Sequence, residues 1–161
     1  MSFFVEKVYL YYKQTKMIFS KTCEYAIRAV IFIAQKSEKG AKVGIKEIAE
    51  GIDSPVHFIA KILQDLSKRG LVQSSKGPNG GFYVDKDGQK KTLIDIVRAV
   101  DGNNIFTGCG LGLKNCSEIK PCPLHNEFKL IRSKIQETLS TATIGEFNES
   151  LNLGLSFIKE R

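Results

Sequence analysis

Residues 53–84 read DSPVHFIAKILQDLSKRGLVQSSKGPNGGFYV, and the order of signals along them decides the fold. Asp53-Ser54-Pro55 predicts the end of one helix and the start of the next, with Ser54 as N-cap and Pro55 at the first helical position. That next helix is expected to run to about Arg69 and to stop at Gly70, a C-terminal glycine. On a helical wheel Val56, Ile59, Ile62, Leu63 and Leu66 share one side. His57, Lys61, Gln64 and Lys68 share the opposite side, with Ala60 beside them. Leu71 to Ser75 reads as a strand, Lys76 to Gly81 as a tip and Phe82 to Val84 as the returning strand. Within the tip, Asn79-Gly80 is a tight-turn signal because both residues tolerate positive φ.

Working toward the N-terminus, Ile45, Ile48, Ala49 and Ile52 follow the i, i+3, i+4, i+7 pattern of a short amphipathic helix. Ser37 to Lys42 is a polar loop, and residues 22–35, TCEYAIRAVIFIAQ, read as a buried helix. Two helices joined by a short turn and followed at once by a basic-tipped hairpin make a winged helix-turn-helix. In such a unit the second helix enters the major groove and the hairpin reaches the neighbouring backbone or minor groove. The glycines near the tip let the backbone approach phosphates closely. Local pattern alone also admits a blander reading, a solvated helix face and a wing that only packs.

Toward the C-terminus, Thr92-Leu-Ile-Asp95 opens a helix with a capping-box pair. Leu93, Ile96, Val97 and Val100 supply its core face, and Asp101-Gly102 ends it. Residues 102–123 form an irregular loop, after which Pro123 starts a long helix. Its apolar stripe, Leu124, Phe128, Ile131, Ile135 and Leu139, has near-heptad spacing and suits packing against another helix. A homodimer seam is expected there, because palindromic DNA sites need two-fold proteins; the alternative is an intramolecular seam. Thr143-Ile-Gly-Glu146 is a second capping box, opening a last helix with Ile144, Phe147 and Leu151.

Composition narrows the function. The 161 residues carry 42% hydrophobic and 25% charged side chains, ordinary for a globular chain and neither disordered nor fibrous. No apolar stretch approaches the roughly 20 residues of a membrane-spanning helix. The 24 Lys and Arg exceed the 17 Asp and Glu by seven, which argues for a polyanionic partner. The excess is +2 in residues 1–16, +4 in 17–90 and +1 in 91–161. Only two histidines, His57 and His125, are present as candidate bases for hydrolytic chemistry. Without a phosphate loop or a dinucleotide fingerprint as well, the chain does not read as an enzyme.

Residues 1–16 contain Phe3, Phe4, Val5, Val8, Tyr9, Leu10, Tyr11 and Tyr12, but Glu6, Lys7 and Lys13 interrupt the run. No small-residue cleavage site follows, so no export signal is read. The segment is expected to be a translated upstream extension with Met17 as the natural start, the alternative being a short docked helix. The protein is therefore read as cytoplasmic, with its cysteines as thiols or metal ligands.

Cys109-x6-Cys116-x5-Cys122-Pro-Leu-His125 places three of the four cysteines on a Gly-rich loop free to wrap an ion. Thiolates at such spacing fit a metal or iron–sulfur site. Two alternatives stay open. One is a structural zinc, since the spacing is close to a Cys3His nucleic-acid-binding zinc site with the last gap one residue short. The other is a metal-free thiol redox switch. Cys23, inside the first apolar helix, reads as a buried thiol rather than a ligand.

These residues carry a resemblance. The opening MIFSKTCEYAIRAV, the turn-helix DSPVHFIAKILQDLSKRGLV, the wing KGPNGGFYV, the helix TLIDIVRAVDG and the three cysteines with CPLH occur in the order seen in the Rrf2 family of bacterial winged-helix regulators. The match covers Met17 to about Leu155. It implies a cytoplasmic, homodimeric transcriptional regulator, a repressor, that binds a double-stranded DNA operator. The implied fold is mainly α with a small β-hairpin wing: a winged helix-turn-helix DNA-binding domain over residues 17–90, then a cluster-binding loop and dimerisation helices over 91–161. By the same resemblance His57, Lys61 and Gln64 lie on the readout face. Lys68 and Asn79 join the DNA surface, and Lys76 stands where many relatives have Arg. Cys109, Cys116 and Cys122 match the family's cluster ligands, although many members have five residues rather than six in the first gap. The fourth ligand is His125, as in members with a two-iron two-sulfur cluster, or Glu24, from which other members present a carboxylate across the dimer. A four-iron four-sulfur cluster is the alternative type.

Overall fold

The computed structural model describes residues 18–159, and the N-terminal extension, residues 1–16, lies outside the described residues. Helix α1 spans Lys21–Ser37, starting where Ser20 accepts the Cys23 backbone N–H at 3.1 Å, and forms the centre of the core. Cys23, Ala26, Ala29, Val30, Ile33 and Ala34 are all fully buried, so α1 has neighbours on most of its circumference, as its apolar composition requires.

The short helix α2, Ile45–Gly51, and the longer α3, Val56–Lys68, pack on α1 through Ile48, Ala49, Ile59, Ile62, Leu63 and Leu66. The start of α3 differs from expectation. Pro55 is the N-cap, with extended backbone at φ −61° and ψ 132°, and the helix begins at Val56. The buried Ser54 hydroxyl makes no cap and has no hydrogen-bond partner among the described residues, while the Ser54 N–H bonds back to Ala49 O at 2.9 Å. Val56 is correspondingly outside the core, 43% exposed, since the buried stretch of α3 begins only at Ile59. The other end of α3 agrees, with Arg69 as C-cap and Gly70 at φ +68°.

The hairpin pairs β1, Gln73–Ser75, with β2, Gly81–Tyr83, in antiparallel register. Strand β1 is shorter than expected, because Leu71 and Val72 turn into the core instead of pairing, and β2 keeps its length but lies one residue earlier, with Val84 in the core. The turn also differs: Gly80 N–H reaches Gly77 O at 2.9 Å, so Pro78 and Asn79 are its central residues. Proline's locked φ suits the second position of such a turn. Positive φ falls on Gly77 and Gly81 instead of Asn79 and Gly80. A bridge from Val43 to Phe82, with N–H···O distances of 2.8 and 2.9 Å, ties the wing to the loop before α2.

That bridge fixes Gly81. Its φ is +151°, and a Cβ there would lie 2.9 Å from Val43 O and 3.1 Å from Val43 C and N. Gly81→Ala is therefore expected to destabilise the fold by about 1–3 kcal/mol, through backbone strain and loss of the bridge. A urea denaturation midpoint equal to that of the unaltered chain would contradict this assignment.

After the wing come α4, Lys86–Gln89; α5, Leu93–Val100; α6, Asn104–Thr107; α7, His125–Thr141; and α8, Ile144–Asn152. Helix α6 lies inside the stretch expected to be irregular. Both capping boxes form, Thr92 with Asp95 and Thr143 with Glu146. The N-terminal ends of α5 and α8 meet at a bridge between Thr92 and Thr143, where Leu93 N–H reaches Ala142 O at 3.0 Å and Ile144 N–H reaches Lys91 O at 2.9 Å. Helix α8 lies on α1, where Asn148 and Asn152 donate to the Glu38 carboxylate at 3.0 and 3.3 Å. Helix α7 starts two residues later than Pro123 implied, with Leu124 as its N-cap. Its stripe divides: Leu139 is buried and Ile135 packs against the core, whereas Leu124 and Ile131 are 40% and 52% exposed. No helix among the described residues is long and apolar enough to cross a membrane.

Candidate cysteine site and nucleic-acid interface

The first residues of the loop between α6 and α7 are fastened to α7 by two contacts. Arg132 on α7 donates to Gly108 O at 2.8 Å. Gly110 lies against the Phe128 ring so closely that a Cβ would fall 2.5 Å from it. Between these anchors and the start of α7 the loop folds back on itself, and Ser117 and Lys120 close a small turn with 3.2 Å hydrogen bonds. The result brings together three sulfurs separated by up to thirteen residues of chain. Cys109, Cys116 and Cys122 Sγ all lie within 4.8 Å of one another, and Cys109 to Cys122 is 3.7 Å.

That spacing fits a metal. Tetrahedral ligation with bonds of about 2.3 Å places sulfurs about 3.8 Å apart. One of the three thiols leans toward the thiolate, the form that ligates. Backbone N–H groups of Leu113 and then Leu111 pull the Cys109 thiol down to about 7. At Cys116 the Cys122 N–H favours the thiolate, but desolvation and the crowded sulfurs outweigh it and push the thiol up. Cys23 is different: burial in the α1 core pushes it up to about 12, which makes it an inert thiol.

His125 opens α7 and presents Nδ1 to Cys116 Sγ at 3.2 Å, although it is not within 4.8 Å of all three sulfurs. Its other nitrogen, Nε2, lies 3.3 Å from Glu118 Oε1, and Lys129 Nζ lies 2.8 Å from the same oxygen. Lys129 first, and then His125, hold the Glu118 carboxyl below the usual carboxylate range. Glu24 sits on α1 in an ion pair with Lys21 at 2.8 Å and does not belong to the sulfur group within one chain.

Helix α3 shows His57, Lys61, Gln64 and Lys68 all exposed, the last 3.9 Å from Asp65. Phe58 meets Tyr25 edge-on at 5.6 Å, which ties the first turn of α3 to α1. Lys76 and Asn79 are exposed on the wing.

Sequence reasoning passed over two residues. Lys42 lay in a stretch read as a plain polar loop; the Val43 bridge brings its ammonium 3.2 Å from Ser75 Oγ and 5.7 Å from the Tyr83 ring centre, at the base of the wing. Glu118 carried a signal that went unused, being the one acidic residue between Cys109 and His125.

Comparison with known proteins agrees with this architecture. The Rrf2 family model, described as an iron-dependent transcriptional regulator, matches residues 19–149. A provisionally assigned HTH-type transcriptional regulator of Aquifex aeolicus strain VF5 is 38% identical over 130 residues, 80% of this chain and 89% of that protein. Among solved structures, CymR, the global cysteine regulator of B. subtilis, superposes with TM-score 0.68 at 21% identity, covering 81% of this chain and 95% of that one. IscR of T. potens superposes with TM-score 0.68 at 19% identity, covering 88% and 93%.

Proposed function

This chain belongs to the Rrf2 family of transcriptional regulators, and we propose that it grips a DNA operator as a homodimer and reports the state of an iron–sulfur cluster held by its cysteine loop. The observation that carries the sensing role is the convergence of the Cys109, Cys116 and Cys122 sulfurs within 4.8 Å. Residues 17–90 hold the DNA, and residues 91–161 hold the cluster and pair the protomers along the exposed part of the α7 stripe. The protein acts in the cytoplasm, as a repressor.

His125 is the fourth ligand in this reading. Its Nδ1 already faces Cys116, whereas the Glu24 carboxylate is engaged by Lys21. Three thiolates and one imidazole favour a two-iron two-sulfur cluster over a four-iron four-sulfur one. When bound, the cluster supplies a redox- and ligand-sensitive group with one harder, more labile ligand. The loop is pinned to α7 by Arg132, and α7 also carries the proposed seam, so a change in loop shape shifts the spacing of the two α3 helices. A coupling of about 1–3 kcal/mol changes operator occupancy roughly 5–150-fold. A metal-free thiol switch is the second reading, favoured by the lowered Cys109 thiol 3.7 Å from Cys122.

On the DNA side, His57, Lys61 and Gln64 read base edges. Lys68, Lys76 and Asn79 hold the backbone. Lysine at position 76 keeps phosphate attraction without the planar fork of arginine. Lys61→Ala is therefore expected to cost about 1–3 kcal/mol on the operator and less on random duplex. Lys76→Ala is expected to weaken both duplexes alike. Fluorescence anisotropy on the two duplexes tests this, and equal losses for both variants on both duplexes would contradict the assigned roles.

A further inference from the structure

The geometry points to Glu118 as a positioning residue that fixes the imidazole of His125 toward the cysteine sulfurs. Glu118 is not a ligand in this account; it acts through His125. The inference rests on the reading of the loop as a metal- or cluster-holding site and adds to it the group that orients its nitrogen donor.

Three observations meet here. The His125 side chain is only 10% exposed, and Nε2 is buried with no hydrogen-bond partner among the described residues, yet Glu118 Oε1 stands 3.3 Å away. Neutral imidazole has one N–H and one lone pair, so a carboxylate that takes the Nε2 hydrogen leaves the lone pair on Nδ1. That is the nitrogen 3.2 Å from Cys116 Sγ. The carboxylate is itself held: Lys129 Nζ lies 2.8 Å from the same Oε1, and Lys129 follows His125 by four residues on α7, on the same helix face. The Ser117–Lys120 turn sets Glu118 on the side of the loop facing α7. An outer carboxylate on a ligating histidine fixes its tautomer and raises its basicity, and losing it costs about 10–100-fold in metal affinity.

The test is iron retention by protein reconstituted with ferrous iron and sulfide, challenged with chelator, and compared across Glu118→Ala, Glu118→Gln, His125→Ala and the Glu118→Ala/His125→Ala double variant. The Glu118 side chain is 67% exposed, so its replacement leaves the core intact, which circular dichroism checks. Glu118→Ala is expected to lower retention about 10–100-fold and to shift the visible spectrum toward that of His125→Ala. Glu118→Gln, which keeps an acceptor oxygen, should fall between Glu118→Ala and the unaltered chain. The double variant should lose no more than His125→Ala alone, because both changes remove one interaction. Equal retention by Glu118→Ala and the unaltered chain would overturn the role of Glu118, as would losses that multiply in the double variant or a His125→Ala chain that retains iron fully. An unaltered chain that takes up no iron would overturn the cluster reading and this role with it.

Discussion

Cys116→Ser is expected to leave the loop unable to keep iron. Of the three sulfurs, Cys116 has the most to lose: it faces His125 Nδ1 at 3.2 Å and accepts the Cys122 N–H at 3.4 Å, so it joins the imidazole to the other two thiols. Since removing an outer-shell partner costs about 10–100-fold in metal affinity, removing a first ligand should cost more than about 100-fold. The loop should still fold, because Arg132 and Phe128 anchor it from α7 independently of any ion. Iron per chain after chelator challenge measures the loss, and operator affinity measured on the same sample shows its consequence. A shift in affinity of roughly 5–150-fold between iron-loaded unaltered protein and Cys116→Ser is expected from ordinary coupling energies. Full iron retention by Cys116→Ser would mean that the sulfurs converge for another reason.

The second large effect is that of salt on operator binding. Lys68 and Lys76, the lysines assigned to the backbone, are exposed on α3 and the wing, and the proposed two-fold pair doubles them to four. Neutralising about four phosphates gives a slope near −4 in log affinity against log salt, so affinity should fall about 10²-fold between 50 and 200 mM. Lys76→Ala should make that slope shallower by about two in a homodimer, one phosphate for each protomer. A slope near zero would mean that the basic excess of the first half does not meet DNA.

The fold was legible where periodicity and capping chemistry agree. The α3 helix, with Ile59, Ile62, Leu63 and Leu66 inward and His57, Lys61, Gln64 and Lys68 outward, follows from spacing alone. So do the Thr92 and Thr143 capping boxes, because their chemistry is complete within four residues. What escaped the sequence depends on long-range contact. Pro55 was placed one residue too far into the helix because nothing local says that the Ser54 N–H bonds Ala49. The positive φ of Gly81 goes with the Val43 bridge, which is distant in sequence but adjacent in space, and the same bridge brings Lys42 to the wing. The α7 stripe reads as uniform heptads, yet Ile135 and Leu139 close the chain's own core, Phe128 lies against Gly110 of the cysteine loop, and only Leu124 and Ile131 stay exposed. At the cysteine site, residue type and spacing named the sulfurs and His125. The Glu118 contact depends on how the Ser117–Lys120 turn folds back, which no spacing rule contains.

The measurement that tests the central claim most directly is the visible absorption spectrum of protein purified without oxygen, with iron, sulfide and zinc counted on the same sample. The expected result is a brown protein with iron matching sulfide, and loss of the colour in Cys116→Ser. A colourless protein with one zinc per chain would make the loop a permanent brace and leave the regulator without its sensor. A colourless, metal-free protein that also refuses reconstitution with iron and sulfide would contradict the cluster outright and leave the thiol switch in its place.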